Sequence, residues 1–60
     1  MDRWSVVMYD DEGNELCKFD AKGSKTYAYN AYIMFIETFR HVVMYYNDEI
    51  HLEYLWKEGS

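Results

Sequence analysis

The chain has 60 residues, with 11 aspartates and glutamates against 6 lysines and arginines, and a formal net charge of −5. This length predicts one domain over residues 1–60, and the acidity argues against direct binding of nucleic acid through a basic surface. Half of the residues are hydrophobic and one in five is aromatic, a composition that excludes disorder. Cys17 is the only cysteine, which excludes an internal disulfide.

A β-hairpin is predicted over residues 3–20. Residues 3–9 alternate in the manner of a strand, and residues 15–20 form the return strand. The acidic segment between them is rich in turn formers, and Gly13 can adopt the positive φ that a tight hairpin needs.

One long helix is predicted over residues 24–46. Ser24 is a suitable N-cap, because its hydroxyl can accept a hydrogen bond from an amide of the first turn. Hydrophobic residues then recur at spacings of three and four and fall on one side of a helical wheel. They are Ala28, Ala31, Tyr32, Phe35, Ile36, Phe39, Val42, Val43 and Tyr46. Asn47 and Asp48 are expected to end the helix.

Residues 49–57 change to a period of two, which predicts a third strand, and residues 58–60 are expected to be a frayed tail. The predicted fold class is α+β: a three-stranded antiparallel sheet with one long helix packed on one face, in β-β-α-β order. The predicted strand order is 2-1-3. Such a sheet leaves one face uncovered and two edges unpaired, so we expect self-association as a homodimer.

The far side of the predicted helix is the candidate partner-binding surface. It carries hydrophobic and aromatic side chains where a solvated helix face would carry charge. The candidate residues on it are Tyr27, Ile33, Met34, Glu37, His41, Met44 and Tyr45. The alternative interpretation is partial burial together with the scattered hydrophobic exposure that every protein surface shows.

Two acidic clusters stand out in the sequence. Asp10, Asp11 and Glu12 lie at the predicted hairpin tip, and Asp48 and Glu49 lie where the predicted helix meets the last strand. They indicate either solvated turns that favour solubility or an anionic surface that attracts a basic partner or imitates DNA phosphates. The three residues of the hairpin tip join the candidate partner-binding set.

The sequence shows no pattern of catalytic or metal-binding residues, so we expect neither an enzyme nor a cofactor. His41 and His51 are the only histidines, too few for a zinc site, and Cys17 has no histidine beside it in the sequence. The sequence has neither a signal-peptide pattern nor an apolar run long enough for a membrane span. The lone thiol suits a reducing compartment, and we therefore expect a cytoplasmic protein without a membrane partner.

Two short motifs give the chain a resemblance to a known family. The acidic tip Asp10-Asp11-Glu12-Gly13 and the sequence Asp48-Glu49-Ile50 resemble the small acidic uracil-DNA glycosylase inhibitors of Bacillus phages. The resemblance extends to length, acidity and the predicted strand–strand–helix–strand order. It implies a homodimer that presents helix aromatics and nearby acids to the DNA-binding groove of the enzyme. Lys18 stands where the family has a functional glutamate, so no contact residue is carried over.

The leading hypothesis from the sequence is a small acidic phage-type inhibitor that binds a host DNA-processing or defence enzyme in the host cytoplasm. Uracil-DNA glycosylase is one candidate target, and DNA mimicry would be part of the mechanism. The alternative is a non-inhibitory oligomerisation or assembly module, in which the same surface only joins subunits. A scaffold of designed origin is a third possibility, against which the many tyrosines and the free cysteine argue.

Overall fold

The computed structural model describes residues 2–56 as a four-stranded antiparallel sheet with one helix on one face. The elements in chain order are β1 (Trp4–Tyr9), β2 (Glu15–Lys22), α1 (Lys25–Phe35), β3 (His41–Tyr46) and β4 (Glu49–Leu55). The sheet order is β2-β1-β3-β4, and all neighbouring strands are antiparallel. The chain is therefore α+β, but the predicted three-stranded sheet and long helix are wrong.

Residues 41–46 are the source of the error, because they form a strand instead of the second half of a helix. α1 ends at Phe35, with Ile36 as its C-cap, and β3 begins at His41. The hydrophobic residues of 41–46 fit a helical spacing when they are read together with α1, but they also form a continuous run of five, which is typical of a strand buried on both faces. Branching at Cβ in Val42 and Val43 restricts their rotamers in a helix and favours a strand.

Asn47 and Asp48 do not end a helix but form the two-residue turn between β3 and β4. Both have positive φ, 50° and 68°, as the central residues of a type I′ hairpin turn must have. Asparagine and aspartate tolerate that conformation better than most residues. The turn pairs Tyr46 with Glu49, so the predicted last strand lies beside β3 at the edge of the sheet and not beside β1.

The turn between β1 and β2 is held by a carboxylate. Asp10 Oδ1 accepts hydrogen bonds from the backbone N–H groups of Glu12 and Asn14, at 2.9 and 2.8 Å. These bonds, chiefly the one from Asn14, hold the pKa of Asp10 below its usual value. Gly13 has φ of 87°, the positive value that glycine adopts without a steric penalty.

The core lies between α1 and one face of the sheet. Ser24 caps the helix as predicted, with Oγ accepting a hydrogen bond from the backbone N–H of Tyr27 at 3.1 Å. The helix turns two alanines, Ala28 and Ala31, towards the sheet, and these small side chains let the helix lie close to it. Beneath them are the fully buried side chains Val6, Met8, Val42 and Met44.

The end of the last strand differs slightly from the prediction. β4 ends at Leu55, and Trp56 follows it outside the strand. The backbone N–H of Trp56 still donates to the carbonyl oxygen of Arg40 at 2.8 Å. Lys57, the predicted last residue of the strand, and the tail predicted over residues 58–60 lie outside the described residues.

Alanine substitution of two methionines distinguishes this fold from the one with a long helix. Met44→Ala is expected to lower the free energy of unfolding by about 2–5 kcal/mol, because it empties part of the core. Met34→Ala, at an exposed position of α1, is the matched control and should change it by no more than about 0.5 kcal/mol. Urea denaturation followed by tryptophan fluorescence measures both. Equally small effects would contradict the inward orientation of Met44.

Candidate protein-binding face

The face of the sheet opposite α1 is buried at its centre although the helix packs on the other side. Strand register places Lys18, Val7, Val43 and Glu53 in one row across all four strands. The two valines in the middle of this row are only 4% and 2% exposed. Their burial therefore has to come from side chains of the sheet itself.

Two tyrosines provide that cover. The hydroxyls of Tyr9 and Tyr45 share a hydrogen bond of 2.7 Å, although the two residues belong to the rows on either side of Val7 and Val43. Their side chains therefore lean towards each other across the valines. This pair is called the tyrosine bridge below.

The tyrosine bridge changes the acidity of one phenol. The hydrogen bond to Tyr45, followed by burial, raises the pKa of Tyr9 to about 12. Tyr9 is therefore protonated throughout the neutral range. Because the bond fixes two side chains that would otherwise rotate, the bridge is a preorganised surface rather than a pair of mobile rings.

His41 extends this arrangement towards β4. Its ring lies 4.9 Å from the ring of Tyr9, centroid to centroid. On its other side, Nε2 lies 2.9 Å from Oε2 of Glu53. Tyr45, Tyr9, His41 and Glu53 thus form one continuous aromatic and polar network over β1, β3 and β4.

A shallow concavity of about 180 Å³ lies beside the tyrosine bridge. Its lining residues are Ser5, Val7, Tyr9, Glu15, Lys18, Tyr45 and Asp48. Pockets for small-molecule ligands usually measure about 300–1,000 Å³, so this one has room for a single side chain of a partner. The two tyrosines supply apolar surface, and the lining contains two carboxylates against the single ammonium group of Lys18. This chemistry suits the long apolar stem and charged head of lysine or arginine.

Hydrophobic and acidic side chains surround the tyrosine bridge. Strand register places Ile50 and Leu55, both largely exposed, on the same side of the sheet. The carboxylates on this side or in its concavity are Glu15, Asp20, Asp48 and Glu53. Among residues 2–56, Lys18 is the only lysine or arginine that the register places here. We call the whole surface, with its aromatic centre and acidic rim, the tyrosine face.

The structure separates the residues that the sequence placed on one helix face. Those on α1 and in the turn after it are Tyr27, Ile33, Met34 and Glu37. The other three belong to β3, where His41 and Tyr45 lie on the tyrosine face and Met44 is fully buried in the core. The prediction of a single surface is therefore wrong, because the helix and the tyrosine face lie on opposite sides of the molecule.

The two acidic clusters are also separated. Asp10, Asp11 and Glu12 lie at the β1–β2 turn, whereas Asp48 and Glu49 lie at the other end of the sheet. A strand of six residues puts about 20 Å between them. At the first end, Arg40 Nη1 lies 3.5 Å from Oδ2 of Asp11, an exposed ion pair of the kind that contributes little to stability.

Sequence reasoning missed the part played by Tyr9, Glu15 and Glu53. One signal was visible, since β1 is hydrophobic on both of its faces and one helix covers only one of them. The position of Tyr45 beside β1 was not visible, because residues 41–46 were assigned to the helix.

The part of the chain that the structure describes contains neither a cluster of metal-ligand side chains nor a membrane-spanning helix. Among residues 2–56, no three or more histidine, cysteine, aspartate or glutamate side chains are grouped in a way that could hold a metal ion. Over the same range, no helix combines the length and the apolar character needed to cross a bilayer.

Comparisons of the chain with protein-family models, curated proteins and solved structures found no match. The tyrosine face and the composition of the chain are therefore the features that bear on function.

The tyrosine bridge can be tested by removing one hydroxyl. Tyr45→Phe is expected to lower the pKa of Tyr9 from about 12 towards the ordinary value near 10. It should also reduce the free energy of unfolding by about 1 kcal/mol. Carbon-13 NMR of labelled tyrosine rings follows the titration of each phenol, and Tyr29→Phe on α1 serves as the control. An unchanged titration of Tyr9 would show that the bridge does not form in solution.

The raised pKa of Tyr9 also predicts how stability depends on pH. A folded-state pKa above the unfolded value means that the folded protein holds the proton more tightly. The resulting stabilisation is complete below pH of about 10 and is lost as the pH rises towards 12. Urea denaturation across this range should show a smaller alkaline loss for Tyr45→Phe than for the wild type. Equal losses would contradict the assignment to Tyr9.

Proposed function

We propose that this chain is a small acidic inhibitor that uses its tyrosine face to bind the basic surface of a DNA-processing or defence enzyme. The observation that carries the proposal is the tyrosine face itself, an aromatic centre with an acidic rim on a side of the sheet that α1 leaves uncovered. Cores of protein interfaces are rich in tyrosine and poor in charge, and their rims are polar. The tyrosine face has this composition.

Preorganisation supports a binding role. The phenols of Tyr9 and Tyr45 hold each other at 2.7 Å, and Glu53 holds the ring of His41 at 2.9 Å. Side chains that are already fixed lose less conformational entropy when a partner docks. Tyrosine also contributes a large contact area for few rotatable bonds.

The charge of the face supports a basic partner. Glu15, Asp48 and Glu53 lie on this side or in its concavity with Lys18 as the nearby cation, whereas Asp20 shares a separate concavity with Arg3. The whole chain carries a net charge of −5. Complementary charge speeds association and disfavours acidic partners. In the concavity, a lysine or arginine of the partner would lay its stem on the rings of Tyr9 and Tyr45 and point its charge at Glu15 or Asp48.

A basic surface with these properties is what an enzyme presents to DNA phosphates. Occupying it would exclude DNA, so the inhibitor and the nucleic acid would compete for one site. Uracil-DNA glycosylase is the first target to test, because the sequence Asp48-Glu49-Ile50, whose Asp48 lines the concavity, resembles inhibitors of that enzyme.

A non-inhibitory assembly module is the second candidate function. The observation that favours it is the set of exposed hydrophobic side chains on α1, on the opposite side of the molecule from the tyrosine face. The two functions are compatible, since one surface could join copies while the other binds a target.

Neutralising carboxylates at two different sites tests the proposal. The first variant, Glu15→Gln with Asp48→Asn, removes two charges from the concavity. It introduces asparagine at residue 48, whose positive φ asparagine tolerates. The control, Asp11→Asn with Glu12→Gln, removes two charges from the distant turn. The first is expected to weaken inhibition about tenfold, equivalent to about 1.4 kcal/mol, and the control by much less. Excision of uracil from a duplex oligonucleotide is the assay.

The outcomes distinguish a wrong choice of target enzyme from a wrong choice of binding surface. No inhibition by the wild type would remove uracil-DNA glycosylase as the target. Equal losses for the two variants would mean that net charge, rather than the tyrosine face, determines binding. The wider proposal predicts that the immobilised wild type retains a protein from a bacterial lysate and that duplex DNA displaces this protein. The proposal fails if duplex DNA displaces none of the retained proteins.

A further inference from the structure

The outer surface of α1 is unusually apolar for a helix that lies on the outside of a small acidic protein. Its exposed large side chains are Tyr27 (56%), Tyr29 (47%), Ile33 (40%) and Met34 (66%). The helix contains no aspartate or glutamate, and its only charged residue is Lys25. We call these four exposed side chains the helix surface.

The positions of the four side chains are related by a two-fold pattern. Tyr27 and Met34 are seven residues apart and share one flank of the outer surface, whereas Tyr29 and Ile33 are four apart and share the other. The midpoint of the first pair lies between residues 30 and 31, and the midpoint of the second is residue 31, so the two pairs have nearly the same centre. A two-fold axis at right angles to the helix at this point would generate a second, antiparallel helix. Each member of a pair would then lie opposite the other member of the same pair, on the same flank.

We propose that α1 packs antiparallel against α1 of a second copy of this chain, about a two-fold axis near Asn30. Tyr27 of one copy then packs on Met34 of the other, and Tyr29 packs on Ile33. Asn30, in the middle of the outer surface, faces its own equivalent, and two asparagine side chains can donate to and accept from each other. A polar pair of this kind fixes the register of two helices.

Charge favours this surface for contact between copies. Two molecules of net charge −5 repel each other, and packing of two tyrosine faces would bring carboxylates such as Glu15 and Glu53 together. The helix surface avoids this cost because α1 has no acidic side chain.

The size of the helix surface indicates a weak dimer. A half-exposed tyrosine offers about 100 Å², so four such side chains offer about 400 Å² and two copies bury about 800 Å². Stable complexes bury about 1,200–2,000 Å². Dimerisation should therefore depend on protein concentration. In the dimer the two tyrosine faces point outwards, on opposite sides.

Cysteine cross-linking tests the register of the two helices. In a Cys17→Ser background, which removes the exposed native thiol, Asn30→Cys is expected to form a disulfide dimer under mild oxidation. Tyr27→Cys should cross-link with Met34→Cys when the two proteins are mixed. It should not cross-link with itself, because antiparallel packing separates the two copies of residue 27 by about 11 Å along the helix, too far for a disulfide.

Sedimentation velocity over a range of concentrations tests the dimer itself. The wild type should shift from monomer to dimer as its concentration rises, and Met34→Glu, at an exposed position that the fold does not need, should stay monomeric with an unchanged circular dichroism spectrum. A wild type that is monomeric at every concentration overturns the inference, as does a dimer that survives Met34→Glu. Self-cross-linking of Tyr27→Cys as fast as its reaction with Met34→Cys would overturn the antiparallel register.

The inference and the proposed function fail independently of each other. Met34→Glu should still inhibit the target through the tyrosine face, with the affinity of a single face. The Glu15→Gln, Asp48→Asn variant should still dimerise. Loss of inhibition by a folded Met34→Glu, with a wild type that is itself monomeric at every concentration, would mean that the target binds α1 and that the assignment of this surface to a second copy is wrong.

Discussion

The antiparallel pairing of β3 with β1 is the contact on which the rest of the structure depends. It aligns Val6 with Met44 and Met8 with Val42 on the side that α1 covers. The same pairing sets Val7 beside Val43 on the other side and lets the two tyrosine hydroxyls meet above them. A shift of one residue would exchange the two faces of β3, so the core and the tyrosine face form together or not at all.

The short helix determines which surfaces are left for binding. α1 has 11 residues and packs through Ala28 and Ala31, so it covers one face of the sheet and turns larger side chains outwards. The result is two uncovered surfaces on opposite sides, one acidic and aromatic, the other apolar and without acidic side chains. Their different chemistry suits different partners, a basic protein for the first and a second copy for the second.

The sequence predicted the local backbone structure correctly at positions where a single residue determines it. Ser24 caps α1 through its own hydroxyl, and Gly13 has the positive φ expected of a tight turn. The segment 41–46 could not be read in this way, because its hydrophobic residues fit both a helical and a strand spacing. Asn47 and Asp48 were ambiguous for a related reason, since such residues end helices and also form type I′ turns.

By itself, the sequence determined an acidic α+β chain with hydrophobic residues that one helix cannot cover, because composition and alternation are properties of the chain alone. The tertiary structure decided where those residues lie. Met44 is in the core, while His41 and Tyr45 lie on the sheet, away from Tyr27, Ile33 and Met34 on the helix. The physical reason is that pairing with β1 on one side and β4 on the other satisfies the backbone of residues 41–46 while alternate side chains are buried on the two faces.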